Sequence, residues 1–167
     1  MGGFGSGTWY RWNKKTTVED CLTLSVSDLS RPNVRSKQII SNSTGRLSWN
    51  NQSGGKIGAA NFWVSSPDNN NYWVLLKYIV KNGTDVELPI RLQTTQPHFG
   101  GTRWWFTCPL VQFGNACNRR VAKLHLQGLY FGCRHCHNLT YRSSQGAPHP
   151  ANRRAMLDKV AERMGVT

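Results

Sequence analysis

Residues 101–136 read GTRWWFTCPLVQFGNACNRRVAKLHLQGLYFGCRHC, and this stretch decides how the chain is built. It sets Cys108, Cys117, Cys133 and Cys136 at the spacing Cys-x8-Cys-x15-Cys-x2-Cys. The second pair, in Gly132-Cys133-Arg134-His135-Cys136, is a tight knuckle. Two thiolates separated by two residues can grip one ion while backbone amides point at the sulfurs, and four sulfurs satisfy the tetrahedral preference of zinc. The expected cofactor is therefore one structural Zn2+, with no open coordination position. The first pair is looser, because Pro109 to Ala116 intervene where two to four residues are usual. His135 and His137 crowd the knuckle, so either could replace Cys108 or Cys117 as a ligand. Iron–sulfur ligation by the same four cysteines is a further alternative.

The segments between the cysteines fit a ribbon. Gly101 to Thr107 is an aromatic strand delivering Cys108, in which Trp104, Trp105 and Phe106 read as core. Arg119 to Gln127 alternates, with Val121, Lys123 and His125 on one side and Ala122, Leu124 and Leu126 on the other. Leu129-Tyr130-Phe131 leads into the second knuckle. The fifth cysteine, Cys21, stands far from the others and reads as a small buried hydrophobe.

Upstream, residues 38–96 read as an antiparallel meander. Strands are expected at Gln38–Ser41, Arg46–Trp49, Lys56–Val64, Tyr72–Val80 and Val86–Thr94, with a turn over Ser65–Asn71. Asn-Gly and Pro-Asp dipeptides mark the turns, and Val, Ile, Trp and Tyr dominate the strands. Leu22, Leu24 and Val26 alternate as a further strand, followed by one helical turn before Arg31-Pro32. Residues 1–16 form a Gly-rich arm where Trp9, Tyr10 and Trp12 interleave with Arg11, Lys14 and Lys15. Residues 150–164 read as a helix, with Leu157, Val160, Ala161 and Met164 on one face and Arg153 and Arg154 mostly elsewhere. The fold class expected is α+β. A flexible basic arm (1–16) precedes an antiparallel β-rich part (17–97), a zinc ribbon (98–145) and a basic terminal helix (146–167).

Charge narrows the function. The 167 residues carry 21 Lys or Arg and 8 Asp or Glu, a net charge of +13. From residue 98 onward the balance is ten against two. Such a surface attracts polyanions, nucleic acids first among them. No apolar run approaches the length of a membrane span, so no membrane partner is expected. An odd number of cysteines and no export signal point to thiolate or metal chemistry in a reducing compartment, the cytoplasm. Arg119, Arg120 and Lys123 follow Cys117, and Arg134, His135, His137, Arg142 and Arg103 surround the second knuckle. Together with Arg11, Lys14, Lys15, Arg153 and Arg154 they are the candidate phosphate contacts, DNA being favoured over RNA.

Two other functional classes bear comparison. A host protein complex is the alternative partner, since Trp, Tyr and Arg dominate protein hot spots. A His-Asn-His nuclease pattern can be strung from His125, Asn138 and His149, but Leu124 stands where a further acidic or histidine residue is needed. With eight carboxylates in all, binding is expected and catalysis is not.

The opening Met-Gly-Gly-Phe-Gly-Ser-Gly, the segment Phe99 to Pro109, Cys117 to Leu124, Phe131 to Cys136 and Leu139 to Ser144 together resemble a poorly characterised group of bacterial, phage and mobile-element proteins. The resemblance implies a cytoplasmic protein with a four-cysteine zinc site and no settled activity. Thr8 stands where that group leads one to expect arginine.

Overall fold

The computed structural model of the chain describes residues 14–29, 43–50, 54–68, 71–80 and 83–145. The expected arm up to residue 13, the strand Gln38–Ser41 and the helix 150–164 lie outside the described residues. So do Arg11, Arg153 and Arg154.

Strict alternation builds the main sheet. In Asn71–Ile79, Val74, Leu76 and Tyr78 are buried while Trp73, Leu75, Lys77 and Ile79 are exposed. In Asp85–Thr95, Val86, Leu88, Ile90 and Leu92 are buried between exposed neighbours. Side chains of successive strand residues point to opposite faces, so each strand offers one apolar edge to a core. Burying each such Leu, Ile or Val contributes about 1.5–3 kcal/mol.

Among the described residues the strands are β1 (Leu22–Ser25), β2 (Thr44–Asn50), β3 (Lys56–Asp68), β4 (Asn71–Ile79), β5 (Asp85–Thr95) and β6 (Arg103–Thr107), then β7 (Val111–Gln112), β8 (Asn115–Ala116), β9 (Arg120–Val121), β10 (Lys123–Gln127) and β11 (Tyr130–Gly132). One short helix, α1 (Arg142–Gln145), follows. A six-stranded antiparallel sheet has the order β2-β3-β4-β5-β6-β9, a three-stranded sheet has the order β1-β10-β11, and β7 and β8 form a separate hairpin. The mostly antiparallel β character expected from the sequence is what the structure has.

The small sheet packs on the buried face of the large one. The Phe131 ring stacks on Trp49 at 5.9 Å and meets Tyr78 edge-on at 5.2 Å. Two hydrogen bonds clamp the layers: Trp49 Nε1 donates to the Thr23 carbonyl (2.7 Å) and the Tyr78 hydroxyl to the Leu129 carbonyl (2.7 Å). Packing is close at Gly58, where a Cβ would stand 2.9 Å from Leu22 Cδ1 and push that side chain aside.

Several boundaries differ from the sequence reading. β3 and β4 stay paired, with a register shift after Ser65, as far as Asp68 and Asn71, so strand pairing runs into the turn expected over Ser65–Asn71. The expected division between residues 97 and 98 falls in the connection between β5 and β6, which are hydrogen-bonded neighbours. Because β1 also pairs with β10, the segments 17–97 and 98–145 share both sheets and one core. The single strand expected over Arg119–Gln127 breaks at Ala122, whose carbonyl accepts the Val26 amide (3.0 Å). This corner sends β9 to the large sheet and β10 to the small one. Within β10, Lys123 and His125 keep the same side, as expected, but Lys123 is exposed while His125 is buried. Trp104, Trp105 and Phe106 cannot all face the core because they alternate: Phe106 is fully buried, while Trp105 lies on the opposite face.

Candidate metal centre and the basic surface around it

Four chain segments deliver the cysteines. Cys108 leaves the end of β6, and its amide donates to the Arg119 carbonyl at 2.9 Å. The eight intervening residues form the β7–β8 hairpin, which turns back through Phe113 and Gly114, both at positive φ. That hairpin returns Cys117, whose amide donates to the Leu110 carbonyl (2.9 Å). The long spacing of the first pair is therefore a closed loop, compatible with a compact site. Cys133 leaves the end of β11, and the turn after it brings back Cys136.

The four sulfurs converge. Their Sγ atoms all lie within 4.8 Å of one another. Cys108 and Cys136 are 3.9 Å apart, and Cys117 and Cys133 are 3.8 Å apart. These separations exclude disulfides, whose sulfurs lie about 2.0 Å apart. A tetrahedron with metal–sulfur bonds of about 2.3 Å has edges of about 3.8 Å. The cluster could therefore hold one metal ion, and its members are four cysteines. Neither His135 nor His137 belongs to it.

Electrostatics favour an ion at this place. The Cys133 amide points at Cys108 Sγ (3.3 Å) and the Cys136 amide at Cys133 Sγ (3.4 Å), the pattern that steadies thiolates. Burial pushes the Cys108 thiol up to about 11 and raises that of Cys136 as well. At Cys133 burial opposes ionisation, but donation from the Cys136 amide and the neighbouring thiols outweighs it and lowers the pKa. Several thiolates cannot coexist so closely without a cation, and a bound divalent ion removes that conflict.

The basic residues sort into distinct places. Lys123, His125, Arg134, His135 and Tyr141 line an open cleft of about 710 Å³ beside the knuckle. Arg134 stacks over the Tyr141 ring at 5.3 Å and reaches the Leu139 carbonyl at 3.4 Å. His125 meets Thr23 Oγ1 through Nδ1 at 2.9 Å, and burial lowers its pKa, with His137, Lys123 and Arg134 adding to the effect. Arg103 and Arg120 lie elsewhere, over the Trp105 ring at 4.2 and 5.6 Å. The Arg119 side chain is exposed after Cys117, and Lys14 is exposed too.

Two expected contacts are otherwise engaged and a third is turned inward. Arg142 forms an ion pair with Asp20 (2.9 Å), and its amide donates to Glu19. Lys15 Nζ donates to Asn138 Oδ1 (2.8 Å), fastening the amino-terminal segment to the turn after the knuckle. His137 is half-buried, and its Nε2 is buried without a hydrogen-bond partner. The residues of the nuclease pattern do not assemble among the described residues: Asn138 accepts from Lys15, His125 faces Thr23, and His149 lies outside them.

Sequence reasoning missed the outer face of the large sheet, where Trp63 and Trp73 stand exposed. A signal was present, since β4 is apolar on both faces, with Trp73, Leu75 and Ile79 opposite Val74, Leu76 and Tyr78. Comparison of the chain with protein-family models, curated proteins and solved structures found no match. No helix among the described residues is long and apolar enough to cross a membrane.

Proposed function

We propose that the four cysteines hold one structural Zn2+ in a zinc ribbon, and that the basic surface this ribbon supports binds nucleic acid, with DNA the leading ligand. The observation that carries the reading is the cleft: Lys123, Arg134 and His135 face one open space beside the Cys133–Cys136 turn. An ion clasped by that turn would fix Arg134 and His135, which lie between its two sulfurs in sequence. Cations held at fixed positions meet phosphates without first losing side-chain freedom. Contacts of this kind supply affinity and orientation rather than sequence choice. Four sulfurs fill the coordination sphere, so the ion supplies shape and has no open position for chemistry.

The test has two arms. Metal analysis of purified protein is expected to give one zinc per chain. Binding to duplex DNA is then measured at 50 and 200 mM salt, where affinity is expected to fall roughly tenfold or more. The double variant K123A/R134A is expected to weaken binding and flatten the salt dependence. A response insensitive to salt, or unchanged binding by the variant, would sink the proposal.

A further inference from the structure

Among the described residues, the large sheet buries one face under the small sheet and leaves the other open. That open face carries aromatic side chains the core does not use: Trp63 and Trp73 are 39% and 38% exposed. Trp63 pairs in register with Leu75, and Ser65 with Trp73, so the two indoles are diagonal neighbours on adjacent strands. Aromatic side chains reach one another across such a diagonal. Arg91 lies directly opposite Trp73 on β5. Two positions along β5, Gln93 pairs with Trp105 on β6. With strands about 4.8 Å apart and a rise of about 3.4 Å per residue, Trp105 lies about 10 Å across the sheet and about 7 Å along it from Trp73.

These residues form a diagonal track, Trp63 to Trp73 to Arg91 to Trp105, with Arg103 and Arg120 at its far end. The Trp105 ring is already a cation–π partner of both arginines, and its Nε1 is held by Thr95 Oγ1 (2.9 Å). On β5 the carboxylates Asp85 and Glu87 lie at the other end of the strand, and Glu87 is neutralised by Lys77 at 2.6 Å. Flat apolar faces spaced along a line of guanidinium groups complement a polyanion that displays flat apolar faces of its own.

We propose that this face binds single-stranded nucleic acid. Bases stack on Trp63 and Trp73, while Arg91 and the Arg103 and Arg120 guanidiniums gathered over Trp105 meet the phosphates. Stacking tolerates any base, because every base has a π-face. A duplex hides its base faces, so the track selects unpaired strands, whereas the cleft beside the metal centre needs phosphates alone. The inference rests on the nucleic-acid reading above for the class of ligand, but it assigns a separate surface.

The experiment titrates the full metal-loaded chain with labelled oligonucleotides of about 12 residues. Oligo-dT, oligo-U and a duplex are compared by fluorescence anisotropy and by quenching of intrinsic tryptophan emission. Both single strands are expected to quench; a preference for one identifies the sugar and supports the proposal equally. W63A/W73A is expected to weaken single-strand binding by about tenfold or more while duplex binding holds. W73F, which keeps a stacking ring, is expected to retain most of the affinity. R91A/R120A, which leaves the indoles in place, is expected to reduce the single-strand salt slope by roughly 0.7 per arginine and keeps the test open if W63A/W73A misfolds.

Duplex binding without single-strand binding, or single-strand binding indifferent to both double variants, overturns the track and leaves the cleft reading standing. Failure of wild-type protein to bind either ligand overturns both. A protein partner that survives nuclease treatment and is lost with W63A/W73A, without single-strand binding, overturns the track in favour of a polypeptide ligand.

Discussion

The hairpins β2 to β5 and the cysteine-bearing loops are held by different forces. In the hairpins every second side chain enters the core, and Phe62, Val64, Val74, Leu76, Ile90 and Leu92 fill it with apolar volume. The β7–β8 hairpin has almost none of this: Val111 is exposed, Phe113 is 100% exposed, and Asn115 and Ala116 are exposed as well. Four sulfurs stand where a core would be. One region is thus stable by exclusion of water; with an ion bound, the other would be held by convergence on a point, and each should then fail under a different insult.

The largest effect is expected from removing the metal. Binding at a structural zinc site contributes on the order of 10 kcal/mol in small modules. Chelation, or Cys133→Ser, is expected to strip hydrogen-exchange protection from residues 108–119 and 131–140 while β3 to β5 retain theirs. Uniform loss over the whole chain would erase the contrast between the two regions. Leu76→Ala comes next, at about 2–5 kcal/mol for an emptied core site. Its effect is expected in the opposite place: thermal unfolding shifts downward, yet metal content of the folded protein stays at one ion per chain.

Gly132→Ala sharpens the comparison where the two regions meet. A Cβ there would stand 2.1 Å from Leu110 Cδ1 and 2.8 Å from His137 Nε2. Overpacking of this kind costs about 1–3 kcal/mol. The expected readout is faster metal loss to a chelator at an apparent melting temperature only modestly lowered. The smallest effect belongs to His125. Its folded pKa is depressed, chiefly by burial, so the unfolded chain binds the extra proton first. Its contribution is complete above the unfolded value of about 6.5 and is lost as pH falls below that toward the depressed folded value. H125Q is expected to lose less stability than wild type between pH 7.5 and 5.5, measured as melting temperature with both proteins metal-loaded. Equal pH slopes would place the acid sensitivity elsewhere.

Much of this arrangement can be read from local pattern. Alternation at Val74, Leu76 and Tyr78 marks a strand without any structure, and the spacing of Cys133 and Cys136 alone marks them as members of the four-cysteine cluster that could hold an ion. What escapes is everything set by distant pairing. No local rule joins Leu22 to Leu126 or Thr23 to His125. The burial of His125 follows from that pairing; period-two reading gives its side of the strand, which it shares with Lys123, but not what covers it. The corner at Ala122 is invisible for a related reason: the hydrogen bond its carbonyl accepts comes from Val26, almost a hundred positions away. Charge counting found Arg103, Arg120, Lys123 and Arg134 but could not tell that they divide between two surfaces, or that Asp20 already occupies Arg142.

The pairing of β1 with β10 sets an order of events during synthesis. Hairpins β2 to β5 close over short loops and can form as they emerge, since local contacts have little loop-closure entropy to overcome. The first of the described strands, β1, cannot dock until Lys123–Gln127 has left the ribosome. Until then Leu24, buried in the finished molecule, and the apolar face awaiting Phe131 stay wet together. Any hairpin formed that early stays open on the side that β10 and β11 will cover.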